Sequence, residues 1–251
     1  GAYGVGAAAQ DVGGAIRNTG KLTLSDSTLA YNTARNLGGA IINSGPFDLI
    51  NTTLSSNTAG SGGGGIENSA AGVASFINAT LVGNVSRITA GGNLNNAGAF
   101  EIRNSIVVNG GLILNCQGPF TSLGNNIESG TDCGFTAPGD LQQQQPALTA
   151  LQDNGGPTYT QAPLAGATAI DHFSPATCPS TDQRGLGRPQ GTLCDVGAVE
   201  YLSQPPLVST TYPMPWPMIG HESRHSGQGI APGPDDAKAV SYTHLTLPTN
   251  R

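Results

Sequence analysis

Charge and aromatic residues are scarce in this chain. Only 10% of its 251 residues are charged and 5% are aromatic, with one Trp and two Met. No apolar run approaches the roughly 18 residues of a membrane helix. Helix formers are few, and no long stretch shows a 3.6-residue period. Between Arg103 and Arg184 there is no Lys or Arg, and the formal net charge is −6. A nucleic-acid surface needs clustered cations, so that class of partner is excluded. The cysteines are also few: Cys116, Cys133, Cys178 and Cys194, none in a CxxC or Cys/His metal spacing. They fall as two local pairs, each closing a Gly/Pro-rich loop, and two disulfides are expected from an oxidising compartment. The opening Gly1-Ala2-Tyr3 reads as the start of an internal fragment.

What is abundant is Gly, with 37 residues, together with Asn, Ser and Thr. This composition suits many short strands joined by tight turns. It is also periodic. Gly13-Gly14-Ala15-Ile16-Arg17-Asn18 recurs as Gly38-Gly39-Ala40-Ile41-Ile42-Asn43, as Gly63-Gly64-Gly65-Ile66-Glu67-Asn68 and, more loosely, as Gly91-Gly92-Asn93-Leu94-Asn95-Asn96. The closing Asn residues are 25, 25 and 28 apart. A second element, Ser27-Thr28-Leu29-Ala30-Tyr31-Asn32, matches Thr52-Thr53-Leu54-Ser55-Ser56-Asn57 and Ala79-Thr80-Leu81-Val82-Gly83-Asn84. Its fourth copy, Ser105-Ile106-Val107-Val108-Asn109, is one residue shorter. Alternating segments lie between the two elements: Leu22-Thr23-Leu24, Phe47-Asp48-Leu49, Ala74-Ser75-Phe76 and Phe100-Glu101-Ile102.

A repeat of this length marks a solenoid. The fold expected is all-β: a right-handed parallel β-helix of about 25 residues per coil, three short strands in each. Alternation buries every second side chain. Three inward rows follow: Ile16, Ile41, Ile66 and Leu94; Leu24, Leu49, Phe76 and Ile102; Leu29, Leu54, Leu81 and Ile106. One coil cannot bury its own apolar face, so stacking makes the core. Asp26, Asn51, Asn78 and Asn104 mark one corner, and Asn32, Asn57, Asn84 and Asn109 another. Asn tolerates left-handed backbone, and stacked amides can form ladders. The leucine-rich repeat, the competing solenoid, needs an LxxLxLxxN pattern that is not found.

After residue 109 the repeat degrades, and a motif-dense block follows. It holds Asp153-Asn154-Gly155-Gly156-Pro157-Thr158, Ala169-Ile170-Asp171, Cys178-Pro179, Asp182-Gln183-Arg184-Gly185, Arg188-Pro189 and Cys194-Asp195-Val196-Gly197-Ala198-Val199-Glu200. These motifs after β-helix coils resemble the C-terminal module of bacterial choice-of-anchor Q proteins, over residues 13–201. The resemblance implies an exported bacterial protein whose cell-surface anchor varies among members, and it carries no catalytic activity. Asp182, Arg184, Arg188, Asp195 and Glu200 are expected to form a salt-bridge network that clamps the Cys178–Cys194 loop onto the last coil as a cap. The sharper reading is a Ca²⁺ site at Asp182, Asp195 and Glu200, since that ion takes carboxylate oxygens; no other cofactor is expected. The chain thus divides into coils over residues 1–116, a degenerate coil plus capping module over 117–201, a Pro-rich disordered linker over 202–239 and a non-native tail over 240–251. The tail resembles translated transposase-type sequencing adapter, which implies a metagenomic source.

Parallel β-helices also carry polysaccharide lyases and hydrolases. Asp48 and Glu101 share an outward position two coils apart, roughly 10 Å by the strand spacing, too far for a hydrolase pair. Arg17 and Glu67 share another. His172 is the only histidine in the patterned region. Asn51, Asn78 and Asn84 head formal glycosylation sequons but read as ladder or turn residues. Tyr31 is the one aromatic on an outward corner. The expectation is therefore a monomeric, secreted or cell-surface display or adhesion protein without catalysis. Its partner would be an extracellular polysaccharide or a host or cell surface. The alternatives are a carbohydrate-active enzyme with its catalytic coils in an upstream part, and a purely structural stalk.

Overall fold

The computed structural model of the protein describes residues 3–5, 10–88, 91–108 and 114–203. Asn109 and the linker and tail beyond residue 203 lie outside them. The described chain is all-β, with parallel sheets stacked as a β-solenoid of about four turns. One 3-10 turn, Pro175–Thr177, is the only helical element among the described residues. None of the described helices is long and apolar enough to cross a membrane.

Each coil passes through the sheets in the same order. Sheet I stacks Ile16–Asn18, Ile41–Asn43, Ile66–Asn68, Leu94–Asn96 and Cys116–Gln117. Sheet II stacks Leu22–Ser25, Pro46–Ile50, Val73–Ile77, Ala99–Arg103 and Thr121–Ser122. Sheet III stacks Tyr3–Val5, Thr28–Ala30, Thr53–Ser55, Thr80–Val82, Ile106–Val108 and Ile127–Glu128. Sheet IV, of Gln10–Val12, Thr33–Leu37, Thr58–Ala59 and Val85–Ser86, adds a fourth strand to the three expected. Its strands show no apolar alternation. They are held through backbone pairing, so the side-chain pattern does not announce them.

The corners between sheets II and III are made by Asp26, Asn51, Asn78, Asn104 and Asn125, all at φ between 45° and 57°. A single left-handed residue turns the chain without breaking the stack, and Asx side chains tolerate it best. The Gly-Gly pairs serve a tighter purpose. A Cβ on Gly39 would sit 2.0 Å from the Gly64 carbonyl oxygen, so adjacent coils pass too closely there for any side chain.

The first two apolar rows pair in the expected register. Phe76 of the second row meets phenylalanines of the neighbouring inward position, 5.5 Å from Phe47 and 4.6 Å from Phe100, with Phe120 5.1 Å beyond Phe100. The third row needs a correction. Leu29, Leu54 and Leu81 are continued inward by Val107, not Ile106, which pairs with Thr80 on the outer face. Three consecutive apolar residues, Ile106, Val107 and Val108, leave the phase open to pattern reading, and a slip of one residue exchanges the two faces. The last coil is closed by its own loop. The Cys116–Cys133 disulfide and Phe135 join the coil core, and Leu141 bridges to Ile127.

Candidate functional site

The motif-dense block does not act as a cap over the last coil. It lies along the flank of the solenoid, on the outer face of sheet III. That face presents a threonine row, Thr28, Thr53 and Thr80, followed by Ile106, and all four are buried. The Thr28 hydroxyl donates to the Tyr159 carbonyl at 2.5 Å. Gln183 enters the row. Its Nε2 donates to the Ser27 carbonyl, the Thr28 hydroxyl and Thr158, and its Oε1 accepts from Thr53 at 2.7 Å. The Ala198 N–H donates to the Thr80 hydroxyl at 2.9 Å, and the Gly197 N–H to the Asn104 carbonyl at 2.9 Å. Gly197 has φ 94°, and a Cβ there would press within 2.7 Å of the Thr80 hydroxyl. Ile106, displaced from the coil core, packs with Ala169, Phe173, Cys194 and Val196. The contact therefore spans four coils and carries both polar and apolar burial.

Four of the five charged residues expected to form a salt-bridge network make two ion pairs, and the Asp195 carboxylate bonds only peptide N–H groups. Arg184 donates through Nε and Nη2 to Asp182 at 2.9 and 2.7 Å, and to the Asn154 and Glu200 carbonyls. Arg188 pairs with Glu200 at 2.5 Å, both side chains fully buried, and reaches the Asp195 and Gly197 carbonyls. The DNGG turn and the DQRG, RP and CDxGAxE segments thus meet around two guanidiniums. The Ca²⁺ reading does not fit this chemistry. Every carboxylate oxygen of Asp182, Asp195 and Glu200 already accepts at least one N–H donor, and among the described residues these three do not gather closely enough to hold one ion. Cys116, Asp132 and Cys133 also lie close together, but the two sulfurs are joined and Asp132 accepts the Cys116 N–H.

Three carboxylates share two guanidiniums, and Asp195 is the one left with peptide N–H donors alone, from Asp171 and Tyr201. Burial pushes its pKa up to about 6, against those two N–H bonds. Burial likewise raises Glu128 and lowers Arg188. A raised folded-state carboxyl keeps its proton where the unfolded chain has lost it. Stability from Asp195 is then greatest below about pH 4 and falls as pH rises through about 6. The flank module is expected to resist denaturant better at pH 5 than at pH 7.5, by on the order of 1 kcal/mol. An Asp195→Asn chain should flatten that profile; an unchanged profile would remove Asp195 as its source.

Both disulfides join the expected local pairs, with Cα atoms 4.8 Å apart in Cys116–Cys133 and 6.5 Å apart in Cys178–Cys194. Cys116, Cys133 and Cys194 are buried, whereas Cys178 is half-buried. A mild reductant should therefore open Cys178–Cys194 first, weakening the module by about 2–5 kcal/mol. Mass-resolved alkylation with parallel denaturation would detect it, and first labelling at Cys116 and Cys133 would contradict it.

The Asn rows divide by role. Asn32 donates to Asn57 at 2.9 Å and Asn57 to Asn84 at 2.8 Å, as a ladder requires. Asn84 then donates to Asn93, and the fourth residue expected in this row, Asn109, lies outside the described residues. Asn51, Asn78 and Asn104 are mainly docking residues. Their amides reach Thr181, then Asp195 and Gly197, then Thr177, and the link from Asn104 to Asn78 is long at 3.4 Å. The most regular ladder, Asn18 to Asn43 to Asn68 to Asn96 at 2.7 Å per step, was missed. Its signal was present as the Asn that closes each Gly-Gly element. Gln183 gave no such signal.

The outward faces of sheets I and II carry the remaining candidates. Thr23, Asp48, Ser75, Glu101 and Thr121 form one outward row, with Ser75 between the two carboxylates. Ile42 separates Arg17 from Glu67, whose carboxylate accepts the Gly63 N–H and Asn95. His172 Nε2 bonds the Gly139 carbonyl at 2.7 Å. Asn51, Asn78 and Asn84 are buried, which leaves the three sequons inaccessible. Tyr31 stands 52% exposed on a left-handed corner. Comparison with family models, with curated proteins and with solved structures gives no match.

Proposed function

We propose that this chain is a non-catalytic display or adhesion rod of the bacterial cell surface, of choice-of-anchor type, that binds extracellular glycan along the outer face of sheet II. One observation carries the reading. The charged motif side chains of the C-terminal block bond within that block, which docks on the coils through Gln183 and Ala198, while the row Thr23, Asp48, Ser75, Glu101 and Thr121 faces outward, with Thr23, Glu101 and Thr121 exposed and Asp48 and Ser75 half-buried. Its polar groups repeat at roughly the 4.8 Å strand spacing, a regular acceptor and donor array for an extended chain of hydroxyls. Two disulfides in a charge-poor chain fit an oxidising, extracytoplasmic setting.

A glycan array on the full chain, with a parallel polysaccharide-degradation screen, tests this. Binding weakened by Asp48→Ala and Glu101→Ala is the result expected. Product release from any polysaccharide would favour the carbohydrate-active enzyme, and binding to nothing would favour the structural stalk.

A further inference from the structure

Two outward rows of the solenoid carry charge of a single sign. On sheet II the row Thr23, Asp48, Ser75, Glu101 and Thr121 holds two carboxylates and no cation. On sheet IV, Ala59 pairs with Ala34 on one side and Ser86 on the other, which sets Arg35, Gly60 and Arg87 side by side at the next position. Ala34, Ala59 and Ser86 are buried, so by alternation that next position faces outward, and both arginines are exposed. Among the described residues Asp48, Glu101, Arg35 and Arg87 form no ion pair, and Glu101 forms none with Arg103 two residues on. The two patches match. Each holds two like charges two strands apart, roughly 10 Å, with a small residue, Ser75 or Gly60, between them. Gly60 has no room for a side chain, because a Cβ would stand 1.7 Å from the Arg35 carbonyl oxygen. Beside each patch is one apolar side chain, Val73 or Ile88, both 55% exposed. Around the coil, sheet III separates sheets II and IV on one side and sheet I on the other, so no rod can bring its own two patches together.

We propose that sheet IV of one rod docks on sheet II of a second copy of this chain, with Arg35 and Arg87 against Asp48 and Glu101. Two different surfaces meet, so the contact is heterologous and can repeat from rod to rod, side by side. Identical faces would set like charges opposite one another and repel. Exposed ion pairs are weak and are screened by salt. The chain is therefore a monomer when dilute and associates when crowded. The contact takes the same two carboxylates that the glycan reading uses. A glycan and a neighbouring rod thus exclude one another on sheet II, and the two readings stand or fall separately.

Light scattering from the full chain over rising protein concentration, with no glycan present, tests the contact. Net attraction, read as a negative second virial coefficient, is expected at about 0.15 M salt, where a screening length of about 8 Å damps net-charge repulsion but spares a pair in contact. It should vanish in about 1 M salt, where that length is about 3 Å. Reversing one patch, with Arg35→Glu and Arg87→Glu, should turn attraction to repulsion. Reversing both, by adding Asp48→Arg and Glu101→Arg, returns the net charge to −6 and should restore attraction. Arg35→Gln with Arg87→Gln alters exposed side chains only, and should also abolish attraction, which keeps the test decisive should the fourfold variant not fold. Repulsion between parent chains at about 0.15 M salt overturns the proposal. So does attraction that survives either arginine variant, or a fourfold variant that melts with the parent but stays repulsive.

Discussion

Replacing Arg188 with Met is expected to destabilise the flank module by about 3–5 kcal/mol. The guanidinium is fully buried and holds three acceptors: Glu200 Oε1 and the Asp195 and Gly197 carbonyls. Without it Glu200 remains in the interior with only the Asp195 and Gln190 N–H groups. A buried charge without a counter-charge costs far more than a lost surface pair, which contributes about 0–1 kcal/mol. The loss should be local. Amide hydrogen exchange should quicken at Val196, Gly197 and Ala198, whose N–H groups bond Ala169, Asn104 and Thr80, while the inner coils keep their protection. Adding Glu200→Gln should recover part of the loss, because it removes the orphaned charge. If Arg188→Met melts within about 1 kcal/mol of the parent, the network is not what holds the module.

Phe76→Ala should cost about 3–5 kcal/mol as well, but in the coils. Phe76 is fully buried and links Phe47 to Phe100 in the aromatic file. Truncation removes the ring and leaves a cavity between coils that backbone pairing keeps at fixed spacing, so little collapse can fill it. In a solenoid each coil is stabilised chiefly by its neighbours. The defect should therefore split denaturation into two transitions, on either side of residue 76. Ser75→Ala on the same strand points outward and should stay within about 0.5 kcal/mol. Equal losses from the two substitutions would contradict the inward register of this row.

Most of the coil was legible because stacking repeats one environment many times. Ile41 and Ile66 report the same inward site, and agreement between copies substitutes for missing context. Legibility failed where a copy loses its polar punctuation. Ser105-Ile106-Val107-Val108 offers three apolar residues for one inward position, and only backbone pairing decides that Val107 takes it. The strands of sheet IV were not legible because their buried positions hold small residues, Ala34, Ala59 and Ser86, which give no large apolar alternation. The charge cluster could be named from five residues crowded together in a charge-poor chain, and the structure pairs four of them while Asp195 takes peptide N–H donors instead. Its seat could not be named. Gln183 finds its partners at Ser27, Thr28 and Thr53, some 130 to 156 residues away, and no local pattern encodes such a meeting.

The chain's solenoid period, its first two apolar rows, its left-handed Asx corners and its local disulfides follow from sequence alone. Each is a short-range consequence of residue type repeated at a fixed interval. The flank position of the C-terminal block and the N–H donors that its carboxylates accept belong to tertiary structure. These depend on which distant groups satisfy one another's hydrogen bonds and charges, and that is settled only when the coils have stacked.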